Sequence, residues 1–138
     1  MTHPDSGFRV AFSDFLRKSG RWRDVEPEAL LARWVRFVES CEHGYRSDAQ
    51  DYFNDLTSRD SLERAMDAAE LQKFPELSQL RAKVEAVDAR FRSMLLPDAF
   101  PGIGEKFWWA RGVVRYGRKR LVEDMRREYR LEIAEIEY

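Results

Sequence analysis

A chain of 138 residues, 43% hydrophobic and 36% charged with a formal net charge of -1, is long enough to bury about two thirds of its unfolded surface in one core. Its 13% aromatic content excludes intrinsic disorder, and no apolar run approaches the roughly 18 residues that a bilayer span requires. One cysteine, Cys41, excludes an internal disulfide and a cysteine-held zinc; together with a polar Met1 to Gly7, which lacks the apolar stretch of a signal peptide, it predicts a cytoplasmic protein without a membrane segment.

The first predicted helix covers residues 7–19. Ser6 is placed to cap it, Phe8, Ala11, Phe12, Phe15 and Leu16 recur at three and four, and Gly20 stops it. Residues 21–26 read as a charged connector. Pro27 opens a second helix at the position where its missing N–H costs nothing. Leu30, Trp34, Phe37, Val38 and Cys41 line one face of that helix, Leu31 and Val35 widen it, and Gly44 ends it. Ser47 and Gln50 have capping-box spacing and predict a third, short helix carrying Tyr52, Phe53 and Leu56. Thr57 and Ser58 interrupt the pattern, and Asp60 with Glu63 restarts it as a fourth helix over about 60–72.

The fifth helix has the clearest pattern. Leu77, Leu80, Val84, Val87, Phe91 and Met94 alternate spacings of three and four between Pro75 and Pro97, one buried stripe on a helix from about 75 to 96. Ala82, Ala86 and Ala89 form a small-residue face on the same helix, which predicts a central place in a bundle with a second neighbour. Pro97, Pro101, Gly102 and Gly104 make 97–104 a loop. Residues 105–114, with Trp108 and Trp109, read as a short helix, and Leu121, Val122, Met125, Tyr129, Ile133 and Ile136 place a final helix from Arg118 to near the end. The alternation Leu131, Ile133 also suits a strand, but no partner strand is visible. No internal repeat divides the chain. The reading is therefore one all-α domain over 1–138, a bundle of five to seven helices around the long central one.

Charge is spread unevenly. From Lys106 to Arg130 nine basic residues stand against three acids, a balance of +6, so the rest of the chain totals -7: a basic segment rides on an acidic body. Trp108, Trp109 and Tyr116 are interleaved there with Arg111, Arg115 and Arg118. Aromatic residues and arginine are the favoured anchors of protein interfaces, so these six are the predicted partner-contact residues. The same interleaving lets bases stack on rings while guanidiniums neutralise phosphates, which makes nucleic-acid binding by 106–130 the alternative. No helix-turn-helix, zinc-finger or RNA-recognition signature accompanies it.

Candidate chemistry is sparse. Glu39 and His43 share a helical face near Cys41 and Glu42 but fall short of a three- or four-ligand metal site. Asp48, Asp51 and Asp55 begin a helix, where negative charge is favourable without any ligand. No Gly-rich phosphate loop, no Gly-x-Ser-x-Gly turn and no histidine beside a nucleophile occurs. The expectation is no enzyme, no metal and no cofactor. Gly44-Tyr45, Tyr52-Phe53-Asn54-Asp55-Leu56 and Arg59-Asp60 together resemble a pattern in small all-α bacterial proteins, with Asn54, Asp55 and Arg59 expected to hydrogen-bond a corner between two helices. By elimination, the predicted function is a small protein–protein interaction module of immunity, antitoxin or regulatory type that acts by forming a complex.

Overall fold

The computed structural model describes residues 6–137, without the Ser6 side chain. The expected Ser6 cap and His3 lie outside the described residues. The helices are α1 (Ser6–Lys18), α2 (Pro27–Glu42), α3 (Ala49–Asp55), α4 (Thr57–Asp67), α5 (Glu76–Arg92), the single turn α6 (Trp108–Arg111) and α7 (Lys119–Tyr129). Two minimal strand pairs complete the chain: β1 (Leu95–Leu96) antiparallel to β2 (Val113–Val114), and β3 (Tyr116–Gly117) parallel to β4 (Ala134–Glu135). The protein is an all-α, single-domain helical bundle.

Local chemistry sets the element ends. α1 closes on Gly20 at φ +96, with the Arg21 N–H on the Leu16 carbonyl and the Gly20 N–H on that of Arg17, a Schellman closure that needs a left-handed residue. α3 is capped by Asp48, whose carboxylate accepts from the Asp51 N–H at 2.9 Å, and not by Ser47, whose hydroxyl goes to the Asp51 carboxylate. The expected corner between two helices is there, at Leu56, and Thr57 and Ser58 already belong to α4. Their hydroxyls donate to the carbonyls of Asn54 (2.7 Å) and Asp55 (3.1 Å), closing the corner so that α4 starts at once and the Asp60–Glu63 capping box is not used. α4 ends at Asp67, and a short 3-10 turn at Ala69–Leu71 replaces the rest of the predicted helix.

α2 occupies the centre. It touches α1, α3, α4 and α5, and Leu30, Trp34, Val38 and Cys41 on it are fully buried. Trp34 packs against Phe37 (5.9 Å) and edge-on to Phe91 of α5 (5.1 Å). α5 buries its predicted stripe, but Ala82, Ala86 and Ala89 are exposed: the small-residue face meets solvent and not a second helix, so α5 is a wall of the bundle. α5 also stops four residues early, because Leu95 and Leu96 pair with Val114 and Val113. α7 likewise ends at Tyr129, where Arg130 turns left-handed at φ +56. Beyond it the chain returns as an extended tail, with the Ala134 N–H on Arg115 (2.8 Å) and the Ile136 N–H on Gly117 (2.9 Å). Ile133 and Ile136 thus belong to this tail and not to the predicted last helix.

One charged cluster crosses the core. Asp88 on α5 accepts from the Trp34 indole (3.0 Å) and, in a two-pronged pair, from Nε and Nη2 of Arg59 (both 2.9 Å), while Nη1 of Arg59 reaches Glu63 (2.9 Å). Arg59 therefore points inward and joins α2, α4 and α5; it does not serve the α3–α4 corner, where Asp55 instead takes the Tyr45 hydroxyl at 2.6 Å. Cys41 lies nearby. Its burial pushes the thiol well above its ordinary range, and the neighbouring Asp55 and Glu42 charges add to that. We expect the native protein to resist a thiol reagent at pH 8 and to react on unfolding in guanidinium, since the thiolate is the nucleophile. Rapid labelling of the folded chain would contradict this.

Candidate functional site

The six residues predicted to contact a partner are all engaged within the chain. Trp109 corrects the expectation outright: it is fully buried, its indole N–H donates to Asp60 at 2.7 Å, and the Arg59 guanidinium lies 4.2 Å over its ring. Trp108 is half-buried, edge-on to Trp109 and covered by Arg92 at 3.8 Å. Arg111 binds Asp98 (2.8 Å) and the carbonyls of Pro101 (3.2 Å) and Ile103 (2.6 Å), stapling the 97–104 loop. Arg115 donates to the Ser93 carbonyl after α5 (2.5 Å), Tyr116 to the Glu42 carbonyl at the end of α2 (3.2 Å), and Arg118 to His43 (2.7 Å). Helix C-termini leave carbonyls without intrahelical donors and favour cations, so what reads in sequence as a display of arginines serves as capping. Lys106, Arg120 and Arg126 face Asp67, Asp48 and Glu132, and Arg127 faces Asp124 within the segment; with Arg111 on Asp98, acids from outside 106–130 match four of its six excess positive charges.

A different surface carries the display. Trp22, in the connector between α1 and α2, is 80% exposed, the highest among the large exposed hydrophobic residues described, compared with 64% for Val10 and about 40% for Phe107 and Tyr129. Its backbone is fixed. On one side the Arg21 N–H is held by the α1 closure; on the other the Ser13 hydroxyl donates to the Val25 carbonyl at 3.0 Å. Between them Asp24 adopts φ +51 and pairs with Arg33 of α2 at 2.9 Å. The connector is an ordered arch that holds one indole out in water.

Beneath this arch a cleft of about 440 Å³ opens toward the α3–α4 corner, lined on one side by Arg21, Trp22, Arg23 and Arg33 and on the other by Asn54, Thr57, Ser61 and Arg64. Arg21 crosses it, its Nη1 3.5 Å from the Ser61 hydroxyl and its Nη2 3.9 Å from Asp24. Its Nε–H is buried without an acceptor, and that desolvation lowers the guanidinium pKa. Four arginines thus converge beside one tryptophan. A sequence signal for this existed: the run Gly20-Arg21-Trp22-Arg23-Asp24 sets an indole among polar residues with no periodic apolar neighbour to bury it.

No family model, curated protein or solved structure matches the chain. Among the described residues no helix is long and apolar enough to cross a membrane, and no three His, Cys, Asp or Glu side chains gather as a metal site. The Glu39–His43 pair accordingly lacks a third ligand. What the Trp22 cleft offers chemically is recognition: a flat apolar ring for stacking and a set of converging positive donors, of which Arg21 and Arg33 are held in place.

Proposed function

We propose that this protein is a protein–protein interaction module and that the Trp22 cleft is its contact surface. The observation behind this is the 80% exposure of Trp22 on a backbone tied at both ends. Keeping an indole in water forgoes on the order of 4 kcal/mol of burial free energy, which association with a partner recovers. A tethered arch adds little ordering cost on binding, and tryptophan and arginine dominate the energetics of interfaces. A small helical body with one such surface fits an immunity- or antitoxin-type binder, or a regulator, acting by occupancy without turnover or cofactor. A cytoplasmic setting goes with this reading, since the one cysteine is a buried free thiol. Nucleic-acid binding through 106–130 has less behind it, because its guanidiniums already face carboxylates and carbonyls of the same chain.

The test is co-purification from the native host with wild type, Trp22→Ala and Tyr129→Ala, all checked for folding by circular dichroism. A stoichiometric protein partner should accompany the wild type and Tyr129→Ala and be lost from Trp22→Ala. Recovery of the same partner in equal yield with Trp22→Ala, or of the wild type alone, would overturn the proposal.

A further inference from the structure

The charges around the cleft define what it takes. Its acids are committed: Asp24 to Arg33 at 2.9 Å and Asp55 to the Tyr45 hydroxyl at 2.6 Å. Two of its four guanidiniums are not. Among the described residues neither the Arg23 nor the Arg64 side chain has a hydrogen bond or ion pair, although both line the cleft, and Arg21 keeps a buried Nε–H with no acceptor. The cleft is therefore a compact positive site whose open partners are anion acceptors, with one indole at its edge to cover an apolar group.

The rest of the molecule limits the size of that anion. Before Lys106 the chain carries 15 basic and 19 acidic residues, so away from the cleft's four arginines this part of the chain is net acidic and adds no overall attraction for a long polyphosphate backbone. Single-stranded nucleic acid is also held by stacking successive bases along a basic groove, and here one ring stands alone. A few carboxylates on a short segment match the site and need no attraction beyond it.

Resting on the contact-surface reading above, we infer that the Trp22 cleft binds an acidic segment of a partner protein, its carboxylates on Arg23 and Arg64 and a neighbouring apolar side chain against the Trp22 ring. Such a contact is steered by opposite charge and weakens with salt.

The experiment is an anisotropy titration of the full chain at low and physiological salt with three labelled probes: a peptide of Glu-Glu-Leu repeats, its Gln-Gln-Leu counterpart, and a single-stranded RNA of similar length. The Glu peptide should bind, weaken as salt rises, and exceed the Gln peptide and the RNA by about tenfold or more. The double variant Arg23→Glu/Arg64→Glu should lose about tenfold, while Lys119→Glu, a charge reversal on α7, should leave binding unchanged. Equal binding of Glu and Gln peptides, tighter binding of RNA, an unaffected double variant, or no binding of the Glu peptide overturns the acidic ligand. Partner capture that still requires Trp22 alongside any of those results leaves the contact surface standing; capture indifferent to Trp22 removes the surface itself.

Discussion

Asp88→Ala is expected to lower the folding free energy by about 3–5 kcal/mol, the cost of leaving a buried charge without its partner. Asp88 takes three donors, from Trp34 and twice from Arg59, and the Arg59 side chain is only 5% exposed. Glu63 remains to Arg59 after the change, but at 18% exposure and through a single nitrogen it replaces only part of the lost interaction. The double variant Arg59→Met/Asp88→Leu should recover part of the loss, because an apolar pair carries no ion desolvation penalty while the buried Trp34 indole N–H still lacks its acceptor. Urea unfolding followed by circular dichroism reads both: the midpoint for Asp88→Ala should fall by more than about 1 M, given slopes of about 1–3 kcal/mol per molar. A single variant within about 1 kcal/mol of wild type would mean that the cluster contributes nothing net.

Trp109→Ala should cost about 3–5 kcal/mol, the usual range for emptying a buried aromatic site. The indole is fully buried, and its removal also leaves the Asp60 carboxylate without the N–H at 2.7 Å and the Arg59 guanidinium without its ring. Trp22→Ala, by contrast, should change stability by less than about 0.5 kcal/mol, as surface substitutions usually do. The pair of measurements separates a structural indole from a displayed one. If the two variants unfold at the same denaturant concentration, the assignment of both residues fails.

Periodicity made most of the helices legible. The apolar residues of α1, α2 and α5 recur at three and four, and Gly20 and Gly44, at φ +96 and +89, stand where those patterns stop. Other features leave no short-range pattern. Leu95-Leu96 and Ala134-Glu135 form two-residue pairings with segments 17 to 19 residues away, too short to impose an alternation. Asp88 and Arg59 look like solvated charges in sequence, since nothing local announces that each is the other's counter-ion. The site is hidden from sequence for a related reason. Arginine beside tryptophan has the same composition whether it caps helix carbonyls, as Arg115 and Arg118 do, or stands open, as Arg23 does. Only the fold distinguishes them, by the helix ends it brings within reach.

The regularity of α5 has its own consequence. Leu77, Val84 and Phe91 occupy one heptad position and Leu80, Val87 and Met94 another, so the helix is a scale with similar graduations: sliding it by seven residues along α2 sets apolar groups where apolar groups already were. Asp88 is the mark that breaks this degeneracy. The same slide carries its carboxylate about 10 Å from Arg59, stranding a guanidinium and an indole N–H in an apolar interior. The carboxylate thus acts as a vernier, selecting one axial setting out of several that oily contacts alone leave nearly equal.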